Sequence, residues 1–204
     1  GDIIGGGVSS IRNLTVTNTS IYASARYPVD KSDTSALGLI GHVINSNLII
    51  ENLTVSTISE TPGNYMGGVV GWTQNSNLTL QGINYYGSMQ GGIRSGGLIG
   101  LSSGTSKTVI NNISISSSSR IEGRAEMGGI VGDIWNTSHL TGDNINVDAF
   151  INATNLNEGI IIGRLNGSNM TFNITNINYN VPSGSASLLI GSNSSYTGNS
   201  LLKN

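Results

Sequence analysis

A short pattern of branched aliphatic residues bounded by glycine recurs along the chain at nearly constant intervals. Two aliphatic residues precede a closing glycine in each copy, as in Gly38-Leu39-Ile40-Gly41 and Gly97-Leu98-Ile99-Gly100. The closing glycines are Gly5, Gly41, Gly71, Gly100, Gly132, Gly163 and Gly191, so successive copies lie 28 to 36 residues apart. Self-similarity with a period of roughly 20 to 50 residues is typical of solenoids, propellers and repeat arrays.

Apolar and polar residues alternate strictly in a second segment of each repeat. Examples are Asn52-Leu53-Thr54-Val55 and Asn112-Ile113-Ser114-Ile115, and a third apolar segment such as Asn47-Leu48-Ile49-Ile50 lies ahead of it. Alternation with a period of two indicates a strand with one buried face. No stretch shows a helical period. Each repeat is therefore predicted to hold three short strands joined by Gly, Asn and Ser.

Three short strands cannot enclose a core alone, but stacked coils can pair equivalent strands in parallel about 4.8 Å apart. We therefore predict an all-β parallel β-solenoid (β-helix) of about six to seven coils with a period of roughly 30 residues. Residues 1–204 form a single repeat array, which we expect to be a fragment of a longer protein. A β-propeller is the rival fold, but its blades usually need four strands over about 40 or more residues.

Glycine and asparagine are expected to form the corners of the coils, since the chain carries 29 glycines and is rich in Asn. Asparagine tolerates a left-handed backbone and can stack on itself as an amide ladder. The double glycine ahead of most aliphatic pairs is expected either to let two backbones approach closely or to supply a positive φ.

Composition narrows the class of protein. Charged residues make up 10% of the chain, against about 25% in average soluble proteins, and the net charge is −2. This balance argues against a nucleic-acid partner, which would need a clustered basic face. Cysteine is absent, which excludes a disulfide scaffold. No apolar run is long enough to cross a bilayer, so we expect no direct membrane insertion.

The glycine-bounded copies resemble the GLUG motif, a short repeat with a consensus close to Gly-Leu-hydrophobic-Gly. The resemblance covers nearly the whole chain, and Gly38-Leu39-Ile40-Gly41 and Gly97-Leu98-Ile99-Gly100 are the best copies. That motif occurs in large surface or secreted proteins, including bacterial adhesin-like proteins and regions of some immunoglobulin-A peptidases. The resemblance implies an extracellular, repetitive, non-catalytic stalk or adhesive region at the cell surface.

Catalytic chemistry is not expected, and we predict no catalytic, cofactor-binding or metal site. His42 falls in a mixed column with Trp72, Leu101, Asp133, Arg164 and Ser192, which marks an outward position. Asp133 and Arg164 would lie on adjacent coils and form a surface salt bridge. The acids are otherwise scattered, and the sequence shows no column with two of them on adjacent coils. The acids considered are Glu51, Glu60, Glu122, Glu126, Asp133, Asp143, Asp148 and Glu158.

Segments of variable sequence separate the last strand of one repeat from the next glycine pair, and such segments usually map to one edge of a solenoid. If the chain has a binding edge, we expect it in these loops. The candidate binding residues are Arg26, Tyr27, Asp30, Lys31, Tyr65, Arg94, Arg120 and Arg124. The simpler interpretation of these segments is solvated loop.

Eleven Asn-x-Ser/Thr sequons occur in the chain. Asn52 and Asn112 share a repeat column and are interpreted as structural corners. Four other sequons are predicted outside the strand columns and are the better candidates for glycosylation. They are Asn18, Asn136, Asn152 and Asn193.

Three functions remain open at this point. The first is a structural or adhesive region of an extracellular protein, a stiff stalk that contacts other surface proteins, glycans or copies of itself. The second is a subunit of a self-assembling extracellular filament. The third is a β-helix that binds or cleaves polysaccharides, with Trp72, Trp135 and Tyr86 as sugar platforms.

Overall fold

A computed structural model describes residues 1–22, 36–61, 64–154, 157–192 and 197–202. These residues contain strands and turns and no helix that could cross a membrane. They form a parallel β-solenoid of about five turns with a period of about 31 residues. The fold class and the period predicted from the repeats are therefore confirmed, and the described residues form about five turns where six to seven coils were predicted.

The strands are short in the glycine-rich part of each coil and long opposite it. In chain order they are β1 (Ile3–Ile4), β2 (Val8–Tyr22), β3 (Ala36–Leu37), β4 (Ile40–Ile44), β5 (Asn47–Thr61), β6 (Tyr65–Gly67), β7 (Val70–Gln74), β8 (Asn77–Tyr85), β9 (Ser88–Gly91), β10 (Arg94–Gly96), β11 (Ile99–Ser103), β12 (Lys107–Ile115), β13 (Arg120–Gly123), β14 (Glu126–Gly128), β15 (Val131–Trp135), β16 (His139–Val147), β17 (Phe150–Ala153), β18 (Glu158–Gly159), β19 (Ile162–Asn166), β20 (Ser168–Tyr179), β21 (Ile190–Ser192) and β22 (Thr197–Leu202).

Equivalent strands of successive coils pair in parallel and form three sheets. Sheet A contains β1, β4, β7, β11, β15, β19 and β21, one strand for each glycine-bounded copy. Sheet C contains β3, β6, β10, β14 and β18, and the remaining strands form sheet B. Because the register is conserved from coil to coil, each repeat position becomes a column that runs along the solenoid axis.

The apolar columns point inward and form one continuous core. The column that includes Leu53 shows this, since its members from Leu53 onward are at most 2% exposed, whereas Leu14, which pairs with Leu53 in the first coil, is 40% exposed. The buried members are Leu53, Ile83, Ile113, Ile145 and Ile177. Aliphatic side chains make up most of this core, in keeping with an aromatic content of 5%.

The glycine pairs let successive backbones approach closely. Gly97 and Gly129 do not have positive φ, but a Cβ on either would overlap a carbonyl oxygen of the next coil. Those oxygens belong to Gly129 and Ile160, respectively. Of the two explanations offered for the glycine pair, close approach is therefore the correct one.

Asparagine supplies the left-handed backbone within the long strands. Asn13, Asn52, Asn112, Asn144 and Asn176 share one column and have φ between 52° and 56°. Part of this column forms the predicted amide ladder, since Asn52 Nδ2 donates to Asn13 Oδ1 at 3.0 Å and Asn144 Nδ2 to Asn112 Oδ1 at 2.8 Å. Gly82, with φ 66°, occupies this column between Asn52 and Asn112 and interrupts the ladder.

Three details of the sequence interpretation were wrong. The alternating segment and the apolar segment ahead of it form one strand, as in β5, because a left-handed residue continues the strand rather than ending it. The variable segments contribute further strands, β9 and β10 among them. The first repeat is displaced as well: Ile3 pairs with Val43, so Gly1 rather than Gly5 lies beside Gly41.

Substitution of a corner glycine tests the close approach of the coils. We expect Gly129→Ala to lower the free energy of unfolding by about 1–3 kcal/mol, the usual cost of overpacking. The added methyl group would overlap the Ile160 carbonyl oxygen and lie 2.7 Å from Val147 Cγ1. Urea titration followed by circular dichroism measures this change.

Gly6→Ala is the matched control, because a Cβ at Gly6 meets no atom within 4 Å. It should leave stability unchanged or raise it by up to about 1 kcal/mol. Equal losses for the two variants would contradict the close-packed corner.

Candidate binding surfaces

Sheets A and C meet at an angle, and side chains on their outer faces contact one another across a furrow. Sheet C contributes the column of Tyr65, Arg94 and Glu126. Sheet A contributes the column that contains His42, Trp72, Leu101, Asp133, Arg164 and Ser192, as the sequence predicted. We call the surface between these two columns the furrow.

A buried ionic cluster lies in the furrow. Arg94 Nε donates to Asp133 Oδ2 at 2.8 Å, and Arg164 Nη2 donates to the same oxygen at 2.5 Å. Arg164 Nη1 lies 2.8 Å from Glu126 Oε1. The Asp133 side chain is 0% exposed, and those of Arg94 and Arg164 are 16% and 17% exposed. Two cations and two anions from three successive coils thus neutralise each other.

Aromatic rings extend the cluster along the axis. The Arg94 guanidinium lies 4.4 Å from the ring centroid of Trp135 and 5.4 Å from that of Tyr65. Tyr65 and Trp72 have ring centroids 5.4 Å apart, and Trp72 and His42 have centroids 5.6 Å apart. Cation–π and edge-on contacts of this kind add stability to the lateral contacts between coils.

Burial is the largest influence on the pKa values of Asp133 and Glu126. Desolvation raises the pKa of Asp133 above its ordinary value, although Arg164 and Arg94 act in the opposite direction. The pKa of Glu126 is raised for the same reason, with the Asp133 charge adding to the effect and the two arginines opposing it. Because both acids bind guanidinium groups, the cluster is suited to holding coils together.

The sequence predicted part of this cluster and misjudged the rest. The pairing of Asp133 with Arg164 is confirmed, but it is not a surface salt bridge, because Arg94 and Arg164 cover the carboxylate. The acids are not all scattered, since Glu126 and Asp133 bind the same arginine. Glu126 lies in β14 of sheet C. A sequence signal existed: Tyr65, Arg94 and Glu126 each precede a glycine pair by two residues.

A second surface lies on the outer face of β9, β13 and β17. Two adjoining depressions of about 170 and 250 Å³ share Gln90 and Glu122 in their lining. Arg120 lines the first depression, and Arg124 lines the second. The Arg120 guanidinium donates to both Glu122 oxygens, at 3.0 and 2.9 Å, and lies 4.3 Å from the ring centroid of Phe150. We call the two depressions together the trough.

The candidate binding residues therefore do not form one loop edge. Tyr65 and Arg94 lie on strands in the furrow, whereas Arg120 lies on β13 in the trough, and Arg124 follows that strand. The variable segments contain these strands because their main chains pair with the neighbouring coils even though their side chains differ. The remaining candidates lie outside the described residues: Arg26, Tyr27, Asp30 and Lys31.

The four glycosylation candidates also lie in different parts of the fold. Asn18 lies in β2 and Asn152 in β17, so the prediction that they sit outside the strands was wrong. Asn136 lies in the turn after β15 and has φ 60°. Asn193 lies outside the described residues.

Among the residues that the structure describes, neither histidine belongs to a group of side chains that could hold a metal ion. Within the described ranges, no three His, Asp or Glu side chains are grouped closely enough to do so. His139 Nδ1 accepts a hydrogen bond from the Thr171 N–H at 2.9 Å. His42 Nδ1 lies 2.9 Å from Asp2 Oδ1, and this contact lowers the pKa of Asp2.

Removal of the central carboxylate tests the contribution of the ionic cluster. We expect Asp133→Ala to lower the free energy of unfolding by about 3–5 kcal/mol, because it leaves partly buried arginines without their partner. The exposed pair of Arg12 with Glu51 provides the control. Glu51→Ala should cost less than about 1 kcal/mol. Urea titration measures both variants. Similar losses of unfolding free energy would show that the buried cluster contributes no more to stability than an exposed ion pair.

The pH dependence of stability tests the raised pKa of Glu126. The folded chain holds this proton at pH values where the unfolded chain has released it. The resulting stabilisation is complete below the ordinary pKa of 4.5 and is lost as the pH rises through the raised value. Glu126→Gln should therefore remove part of the fall in unfolding free energy above pH 4.5.

Asp143→Asn is the control of opposite sign. Hydrogen bonds from Thr175 and Asn176 lower the pKa of Asp143, so this residue stabilises the fold above its ordinary pKa of 3.8 and loses that effect as the pH falls. Urea titrations at a series of pH values measure both variants. The assignment fails if Glu126→Gln changes the profile in the same direction as Asp143→Asn.

Comparison with known proteins gives one relative. No protein-family profile matches the chain, and no solved structure matches it significantly. Over 102 residues, 47% of its length, the chain is 32% identical to Halomucin from Haloquadratum walsbyi. The chain spans about 1% of the length of that protein.

Proposed function

We propose that this chain is a structural and adhesive repeat region of a cell-surface or secreted protein. The observation that carries the proposal is the unbroken parallel pairing of the strands of sheet A, from β1 to β21. A stack of this kind has one continuous core, so no coil can bend independently without exposing apolar columns. This property suits a stiff spacer.

The similarity to Halomucin supports an extracellular location. The name of that protein denotes a mucin, a class of extracellular glycoproteins, and the match covers 102 residues. Eleven sequons in this chain are consistent with the same setting. Membership of the GLUG repeats remains a prediction from the glycine-bounded copies.

The adhesive part of the proposal rests on the side chains that face outward. Aromatic side chains in the furrow and polar side chains in the trough offer contacts to a glycan or a second protein. A catalytic role is less well supported, because Asp133 and Glu126 both bind arginine. The filament alternative stays a prediction, which electron microscopy of the purified chain would test.

A polysaccharide panel tests adhesion and catalysis together. The purified chain is applied to immobilised neutral and acidic polysaccharides, and both its retention and the release of reducing ends are measured. We expect retention on at least one polysaccharide without cleavage. Cleavage would establish an enzyme instead, and absence of retention on the whole panel would contradict adhesion to glycans.

A further inference from the structure

The trough has a regular row of hydrogen-bonding side chains along its length. Glu60 pairs in register with Gln90, Gln90 with Glu122, and Glu122 with Asn152. Carboxylates and amides therefore alternate along the axis at the spacing of parallel strands, about 4.8 Å. Such a row presents acceptors and donors in turn to an extended polar ligand.

Several groups in the trough have unused hydrogen-bonding capacity. Among the described residues, the side-chain amides of Gln90 and Asn152 have no hydrogen-bond partner, and neither does the Thr154 hydroxyl. The amides of the asparagine ladder differ, since Asn52 and Asn144 donate to neighbouring asparagines. The trough thus keeps donors and acceptors open to solvent, whereas the ladder uses them to join coils.

Arg124 adds a positive charge that is not paired with a carboxylate of any described residue. Arg120 forms a two-point ion pair with Glu122, and Arg94 and Arg164 bind the buried acids of the furrow. The Arg124 guanidinium, which lines the larger depression, has no ion pair within the described part of the chain. A guanidinium in this situation favours a carboxylate, which it can bind through two parallel hydrogen bonds.

We propose that the trough binds an acidic saccharide, with a sugar carboxylate on Arg124 and sugar hydroxyls on the Gln90 and Asn152 amides. A saccharide fits better than an acidic peptide, because the larger depression is lined by polar side chains and glycine backbone and offers no apolar pocket for an anchoring side chain. The inference deepens the proposed adhesive function and rests on it, since it names the ligand class and the residues.

Titration with a defined oligosaccharide tests the inference. The full chain, produced without N-glycosylation so that Asn152 is unmodified, is titrated with tetragalacturonate by isothermal calorimetry. Arg124→Gln should weaken binding roughly tenfold or more, the effect of losing a charge-assisted hydrogen-bond pair. Lys107→Gln is the matched control, because Lys107 is an exposed cation on β12, outside the lining of both depressions.

Two further probes separate charge from sugar recognition. The neutral cellotetraose should bind at least roughly tenfold more weakly than tetragalacturonate, and tetraglutamate, which has carboxylates but no hydroxyls, should also bind more weakly. The proposal is overturned if tetragalacturonate does not bind, if Arg124→Gln and Lys107→Gln have equal effects, or if tetraglutamate binds equally well. Circular dichroism verifies that both variants remain folded.

The two proposals can fail separately. If the chain is retained on polysaccharides and Arg124→Gln is retained equally, the trough assignment is wrong but adhesion stands. If no polysaccharide retains the chain and tetragalacturonate does not bind, both are wrong.

Discussion

Parallel pairing between successive coils is the interaction on which the rest of this structure depends. A single coil cannot enclose a core, so its apolar side chains are buried only when equivalent strands lie about 4.8 Å apart in register. That spacing requires glycine at the tight corner, where a methyl group on Gly97 or Gly129 would overlap the backbone of the next coil. It also requires left-handed residues within the long strands, which Asn112 and its column equivalents supply.

The same register creates the surface features. Residues far apart in sequence become neighbours when they share a column or face each other across a corner. Arg94, Asp133 and Arg164 come from three successive coils and form one charged cluster. On another face, Gln90, Glu122 and Asn152 form an open row. The first arrangement uses its polar groups to hold coils together, whereas the Gln90 and Asn152 amides of the second stay available to solvent.

The sequence was sufficient to predict those features of the structure that depend on a single repeat column. Repeated glycines and period-2 alternation predicted the fold, and the position after the closing glycine predicted that Asp133 and Arg164 would meet. It did not reveal what depends on the angle between sheets. Arg94 and Glu126 belong to sheet C, and their approach to sheet A is set by the bend at the glycine pair, which periodicity does not encode.

Local register was the other limit of the sequence interpretation. Thr108 pairs in register with Leu78 and Leu140 and is 2% exposed, so a threonine fills a core position and the adjacent Val109 does not. The left-handed residue at Asn112 lets the chain keep its buried face without strict alternation across it. If every second residue is taken as buried, starting from one side of such a position, the residues on its other side are assigned to the wrong face of the sheet.

Distance measurement along one column tests the parallel stack most directly. Thr54, Asn84, Ser114, Asn146 and Asn178 are in register on successive coils, and the absence of cysteine allows spin labels to be placed at two chosen positions. Electron–electron double resonance should give about 19 Å between backbone positions 54 and 178, and about 5 Å less between positions 54 and 146. Distances that do not increase with each coil would contradict the solenoid.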